Sequence, residues 1–221
     1  RVAAPVVDGN LLRVKGQGYE LTFDKNTGGL YAATYNGATV IEPGHGPRLD
    51  AFRARTDNDN WMDAKWPKLG LHNLKHKTTA FAQNITKEGN LQLIFTVESQ
   101  APYGGVDNYS NRDRDKDEVY KIVDDKSKPF GPNDFKFTTH QIYTIYADGS
   151  VELESAISSN MLKAKLPRLG YAFEMPKEYR HFTYYGRGPV NNYADRKTGQ
   201  FIERHEGIVG EQDIMLPKPQ S

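Results

Sequence analysis

Asp57-Asn58-Asp59-Asn60 places two carboxylates and two carboxamides in consecutive positions, with Trp61 directly after them. Oxygens and amide hydrogens at that density can bind the hydroxyls of a sugar. An exposed indole can stack on the sugar's C–H face while its N–H donates a hydrogen bond. Asp and Asn also build tight turns through their own side chains. Binding of hydroxyls, ordering of a neighbouring loop and a structural turn are therefore all open readings of the segment. Trp66 follows soon after. The two indoles read either as sugar platforms or as a core anchor and an edge residue.

The run Tyr184-Tyr185-Gly186-Arg187-Gly188-Pro189-Val190-Asn191-Asn192-Tyr193-Ala194-Asp195-Arg196-Lys197 is the second unusual concentration of residue types. Gly186 and Gly188 admit positive φ or the close approach of another chain, and Pro189 fixes its own φ. Such a run can form a tightly specified loop after a strand. Arg187, Asn192, Asp195 and Arg196 would then act as scaffold or contact a neighbouring domain or subunit. Metal chemistry is poorly served elsewhere. His72 and His76 are four apart, but no adjacent Glu completes a zinc motif. Asp113, Asp115 and Asp117 alternate with Arg114 and Lys116 and lack the Gly and distal Glu of a calcium loop, which reads as a solvated loop. The absence of cysteine excludes disulfides and thiolate chemistry.

Four segments in order resemble the C-terminal β-sandwich domain (the small chain, or fifth domain) of glycoside hydrolase family 2 β-galactosidases. Gly186 to Arg196, with Gly188, Pro189, Asn192, Tyr193, Asp195 and Arg196, is similar to that family's G-x-G-P-x-E-N-Y-x-D-R. Pro47-Arg48-Leu49-Asp50-Ala51-Phe52-Arg53-Ala54-Arg55-Thr56-Asp57-Asn58-Asp59 resembles N-F-W-R-A-P-T-D-N-D. Leu166-Pro167-Arg168-Leu169-Gly170 is similar to L-P-R-x-G. Glu211-Gln212-Asp213 through Pro217-Lys218-Pro219-Gln220-Ser221 lies where the family has E-Q-Y-x-x-Y-x-x-P-Q-E-x-G. Asn191 replaces the family's Glu and Arg55 its Pro.

The resemblance implies a supersandwich related to galactose mutarotase. Its parent would be a retaining enzyme that hydrolyses terminal β-D-galactosyl residues through two carboxyl groups about 5–5.5 Å apart. That pair would sit on a (β/α)₈ barrel outside this chain, so the chain alone is expected to be inactive. Asp57, Asn58, Asp59, Asn60 and Trp61 would line the pocket. Arg53, Arg168 and the Gly186–Arg196 run would be structural, with Arg53 paired to a carboxylate. The parent's Mg²⁺ and Na⁺ or K⁺ would also lie elsewhere. The family carries further strands after the last motif, so residues 11–221 are expected to be an incomplete sandwich. An edge left unpaired in this way could favour a homo-oligomer.

The elements that would hold these residues read as all-β. Leu11–Val14, Tyr19–Phe23, Leu30–Tyr35, Leu91–Val97, Phe135–Tyr146, Val151–Ile157, Leu169–Glu174 and His181–Tyr185 are strand candidates. Asn36-Gly37 and Asp148-Gly149 supply hairpin turns. Trp61–Leu69 carries the best helical signal, limited by Pro67. Many short strands between Gly, Asn and Asp turns predict one large antiparallel sandwich over 11–221, preceded by a 1–10 linker from an earlier domain. Residues 103–133 read as a long elaboration.

The 221 residues include 13 Tyr and 10 Phe, enough for a sizeable core, and no apolar run of membrane-spanning length. With 29 basic and 28 acidic side chains, no net field recommends nucleic acid or an anionic membrane as partner. The remainder of the parent polypeptide and galactosides are the expected partners. A cysteine-free chain suits cytoplasm and periplasm equally, and Arg1 in place of Met makes the sequence look like a piece of a longer one. Besides a pure assembly interface, two rival functions remain. One is an autonomous galactoside-binding module using Trp61, Trp66 and the Asp/Asn segment. The other is an aldose epimerase using His140 and Glu154, which needs both on one concave face.

Overall fold

A computed structural model describes residues 2–53, 59, 65–103, 126–161, 163–189 and 198–211. The chain divides into two compact units, residues 1–53 with 62–175 and residues 54–61 with 176–221.

The first unit contains a five-stranded sheet and a four-stranded sheet. Strands β1 (Val6–Asp8), β2 (Leu11–Gly16), β3 (Tyr19–Asp24), β4 (Leu30–Tyr35) and β5 (Ala38–Ile41) pair in sequence order, all antiparallel. Asn36 (φ 49°) and Gly37 (φ 81°) join β4 to β5 through two residues in the left-handed region. That is the backbone which matches hairpin twist, and it explains why Asn-Gly stands there. Val6–Asp8 forms the edge of this sheet inside the segment read as linker, and Val2 is buried in the core.

Strands β6 (Arg48–Asp50), β7 (Lys75–Ile85), β8 (Leu91–Gln100), β9 (Phe137–Ile145) and β10 (Val151–Ser159) follow, and the second sheet has the order β10-β9-β8-β7. Strand β8 alternates without a fault, with Leu91, Leu93, Phe95, Val97 and Ser99 inward. The inward side chains of the two sheets meet in one core. Leu12, Val14, Leu21 and Phe23 come from one sheet and Leu91, Leu93, Phe95, Tyr143 and Ile145 from the other. Each such burial contributes roughly 1.5–3 kcal/mol. The Tyr143 ring meets Phe23 edge-on at 5.3 Å and Phe95 at 6.1 Å, arrangements that suit the aromatic quadrupole. The described residues are therefore an all-β antiparallel sandwich.

A smaller core gathers Leu49, Ala51, Trp66, Leu71, Phe135 and Phe137. Above it β6 pairs antiparallel with β11 (Gly170–Ala172). Helix α1 is a single turn, Lys65–Lys68. Pro67 is tolerated there because first-turn N–H groups have no intrahelical partner.

In the second unit, β12 (His181–Gly188) pairs antiparallel with β13 (Phe201–Ile208), from His181 opposite Ile208 to Gly188 opposite Phe201. Strand β12 runs three residues beyond the expected Tyr185 and absorbs Gly186 and Gly188 into the ladder. Strands β7 and β13 have no counterpart in the sequence reading. Their side chains are exposed along nearly the whole length, so no buried face imposes a period of two.

Candidate functional site

The Arg48–Arg53 and Leu166–Gly170 segments lie far apart in sequence and meet at the β6–β11 pair. Gly170 stands opposite Asp50, and Arg168 Nη2 reaches Asp50 Oδ2 at 2.9 Å. Asp50 Oδ1 accepts the Phe52 N–H at 3.1 Å, which turns the chain directly after β6. Arg53 Nε donates to the Pro167 carbonyl at 3.2 Å, and its guanidinium carbon stands 5.4 Å from the centroid of the Trp66 ring. Trp66 is only 4% exposed, and its Nε1 donates to the Lys165 carbonyl at 3.2 Å. Trp66 is thus a core anchor and not a sugar platform.

Together these contacts close a neck. The residues just before and just after 54–64 are stacked on each other and held to the same 165–168 stretch. Of the expected pocket wall, Asp59 is half-buried, whereas Asp57, Asn58, Asn60 and Trp61 lie outside the described residues, as does Arg55.

The Gly186–Arg196 run is described as far as Pro189. Gly188 is required by close approach. A Cβ there would collide with the Tyr184 hydroxyl and stand 3.0 Å from His205 Nε2. Gly186 has ordinary surroundings and no positive φ. The Gly188–Pro189 bond is cis, and Arg187 Nη1 donates to the Gln200 carbonyl at 3.4 Å across the hairpin. Asn192, Tyr193, Asp195 and Arg196 lie outside the described residues, as do Asp113, Asp115 and Asp117. Among the described residues no three His, Asp or Glu side chains converge on a point where a metal could be held.

Sequence reasoning passed over a cavity of about 240 Å³ within the first unit. Arg48, His76, Ser99 and Gln141, from four different strands, line it with Gly28 and Gly29. His76 Nδ1 and Ser99 Oγ share a hydrogen bond of 2.8 Å. Burial, followed by the positive charges of Arg48 and Lys75, holds the imidazole below its ordinary pKa. Arg48 is itself neutralised. Its Nη2 and His45 Nδ1 each reach one oxygen of Glu174 at 2.8 Å. Glu174 is held below its ordinary value first by His45 and then by Arg48. The only signal in the sequence was Ser99, Thr139 and Gln141 at inward positions of otherwise apolar strands. His140 and Glu154 lie on the other face of the same sheet, exposed to solvent, with His140 Nδ1 3.4 Å from Thr96 Oγ1.

Fold and contacts define the class as an antiparallel β-sandwich whose separated motifs are drawn together at one short strand pair. A model of the β-galactosidase small chain matches residues 15–221, and the chain belongs to that family. It is 27% identical over 209 residues to a β-galactosidase of Priestia megaterium, covering 95% of this chain and 17% of the relative. It is 26% identical over 214 residues to one from Halalkalibacterium halodurans, covering 90% and 17%. A Kluyveromyces lactis β-galactosidase is 24% identical over 201 residues, covering 90% and 17%. The chain therefore spans about one-sixth of the length of the curated relatives it matches.

Proposed function

We propose that this chain is a non-catalytic domain of a retaining β-galactosidase that hydrolyses terminal β-D-galactosyl residues. Its part is to help shape an active-site pocket built on a (β/α)₈ barrel in the remainder of the same polypeptide. The observation that carries this reading, given the family, is the neck formed by Arg53 and Trp66. It holds together the described residues on either side of 54–64 in the sequence. A segment with fixed ends needs less ordering when substrate arrives.

Catalysis in this scheme belongs to two carboxyl groups of the barrel, one attacking the anomeric carbon and one protonating the leaving oxygen. The side chains of Asp57 to Asn60 hold sugar hydroxyls, and Trp61 offers an apolar face to the ring. Arg168, Arg53, Gly188 and Pro189 act as scaffold. The Mg²⁺ and the Na⁺ or K⁺ expected of the parent are held outside this chain. The supersandwich relationship to galactose mutarotase belongs to the same proposal.

The test is steady-state kinetics of the whole enzyme carrying Asp57→Ala or Asp59→Ala. A hydrogen bond to a carboxylate contributes about 1.5–3 kcal/mol, which corresponds to a loss in kcat/KM of roughly tenfold or more. Unchanged kinetics in both variants would exclude the pocket-wall role.

A further inference from the structure

The β12–β13 hairpin is a two-stranded sheet, and no third strand pairs with it among the described residues. Sheets of two strands are marginal in water, and a third strand or a packed helix is what makes them stable. The register shows which main-chain groups of β13 are open. The Val209 N–H donates to the Arg180 carbonyl at 2.8 Å, directly opposite it in the ladder that sets Ile208 against His181. Hydrogen-bonded and non-hydrogen-bonded pairs alternate along an antiparallel ladder. Phe201, Glu203, His205 and Gly207 therefore turn their main-chain groups toward β12, while Ile202, Arg204 and Glu206 turn theirs outward. The open stretch ends at Ile208, whose carbonyl accepts the Glu211 N–H at 3.1 Å.

An open edge is a template for another strand, and proteins usually blunt it with Pro, Lys or a bulge. Strand β13 contains neither residue, and its ladder with β12 runs without a register shift. Its side chains are also unusually apolar for a solvated edge, since Phe201, Ile202 and the adjoining Val209 are all more than half exposed. The two charged residues among the outward positions form an ion pair along the strand. Arg204 Nη2 stands 2.8 Å from Glu206 Oε1, with both side chains largely in solvent.

That pair makes the edge complementary to itself. A second copy laid antiparallel must set outward residues against outward residues, so the two-fold axis falls on a residue of β13. An axis at Arg204 or at Glu206 places like charges opposite each other, which is destabilising. An axis at Glu203 or Gly207 leaves both charges without an opposite partner. Only the axis at His205 sets each Arg204 against Glu206 of the second copy, and each Glu206 against its Arg204. The same register brings Ile202 opposite Ile208 of the second copy and Phe201 opposite its Val209, so the exposed apolar side chains also meet. We infer that two copies of this chain associate through the outer edge of β13, antiparallel about His205, and join their hairpins into one sheet. Strand addition of this kind takes its affinity from main-chain hydrogen bonds and its register from the side chains. The contact is isologous, and it closes at two copies.

Sedimentation equilibrium of the 221-residue chain tests this. A small edge-to-edge contact belongs to the weak class of interfaces, so loading runs from about 10 μM to about 1 mM. A monomer–dimer equilibrium is expected within that range. On dilution the amide NMR signals of Arg204 and Glu206 should move while that of Leu93 keeps its position. Glu206→Arg sets Arg against Arg across the axis and should weaken association at least tenfold. Adding Arg204→Glu to that variant restores the opposite charges and should restore the dimer. Should Glu206→Arg disturb the hairpin itself, Arg204→Glu alone sets Glu against Glu and gives the same readout. A chain that stays monomeric at about 1 mM, beyond the useful range of specific association, would overturn the inference. So would a dimer indifferent to both single charge reversals, a double reversal that fails to recover, or growth past two copies.

Discussion

At the level of single residues, Trp66 and His76 show how burial decides what a chemically versatile side chain does. Trp66 spends its indole on the small core, on the Lys165 carbonyl and beneath Arg53. Trp66→Ala is expected to destabilise the chain by about 3–5 kcal/mol in denaturant titration. Arg53→Ala should cost about 1–3 kcal/mol, through the lost charged hydrogen bond and cation–π contact. His76 gives a pH signature. Its imidazole is held below the ordinary value, so the unfolded chain takes up a proton at higher pH than the folded chain does. The folded state is then fully favoured above about pH 6.5 and loses stability as pH falls below it. Glu174, also held low, adds its own loss further down, beneath the usual carboxylate range. His76→Gln should flatten the upper part of the decline, read from denaturation midpoints at a series of pH values. An unchanged slope just below about pH 6.5 would show that the ring does not govern it.

At the level of elements, legibility follows burial. Strand β8 was readable because one of its faces is sealed against the other sheet, and every second residue reports it. The β4–β5 hairpin was readable because Asn36-Gly37 is among the few dipeptides that accept positive φ twice. Strand β7 was not, because an edge strand with solvent on most of its length imposes no pattern. The cavity was illegible for a different reason. Its residues come from separate strands, and only the register brings His76, Ser99 and Gln141 onto one face. The neck lies between these cases, since the motifs were visible but their meeting at β6–β11 was not. In the β12–β13 hairpin, Gly188→Ala drives a Cβ into the Tyr184 hydroxyl. Amide exchange across that hairpin should accelerate in the variant, while β8 and β9 are unaffected.

For the whole molecule, burial is distributed unequally between the two units. Among the described residues the first holds both hydrophobic clusters, whereas the hairpin of the second leaves Tyr185 79% and Phe201 74% exposed. Local opening free energies track buried apolar contact. Hydrogen exchange on the 221-residue chain should therefore find β8 and β9 the slowest and β12 and β13 among the fastest. Equal protection throughout would contradict that ordering.

The stacked pair of Arg53 and Trp66 has an evolutionary corollary. A stretch whose two roots are fastened together can be lengthened, shortened or rewritten with little penalty to its foundation, because closure entropy grows only slowly with length. Residues 54–64 are thus a natural graft position. On the proposed pocket-wall role, exchanging them between homologues should transplant recognition while the melting temperature of the first unit stays where it was.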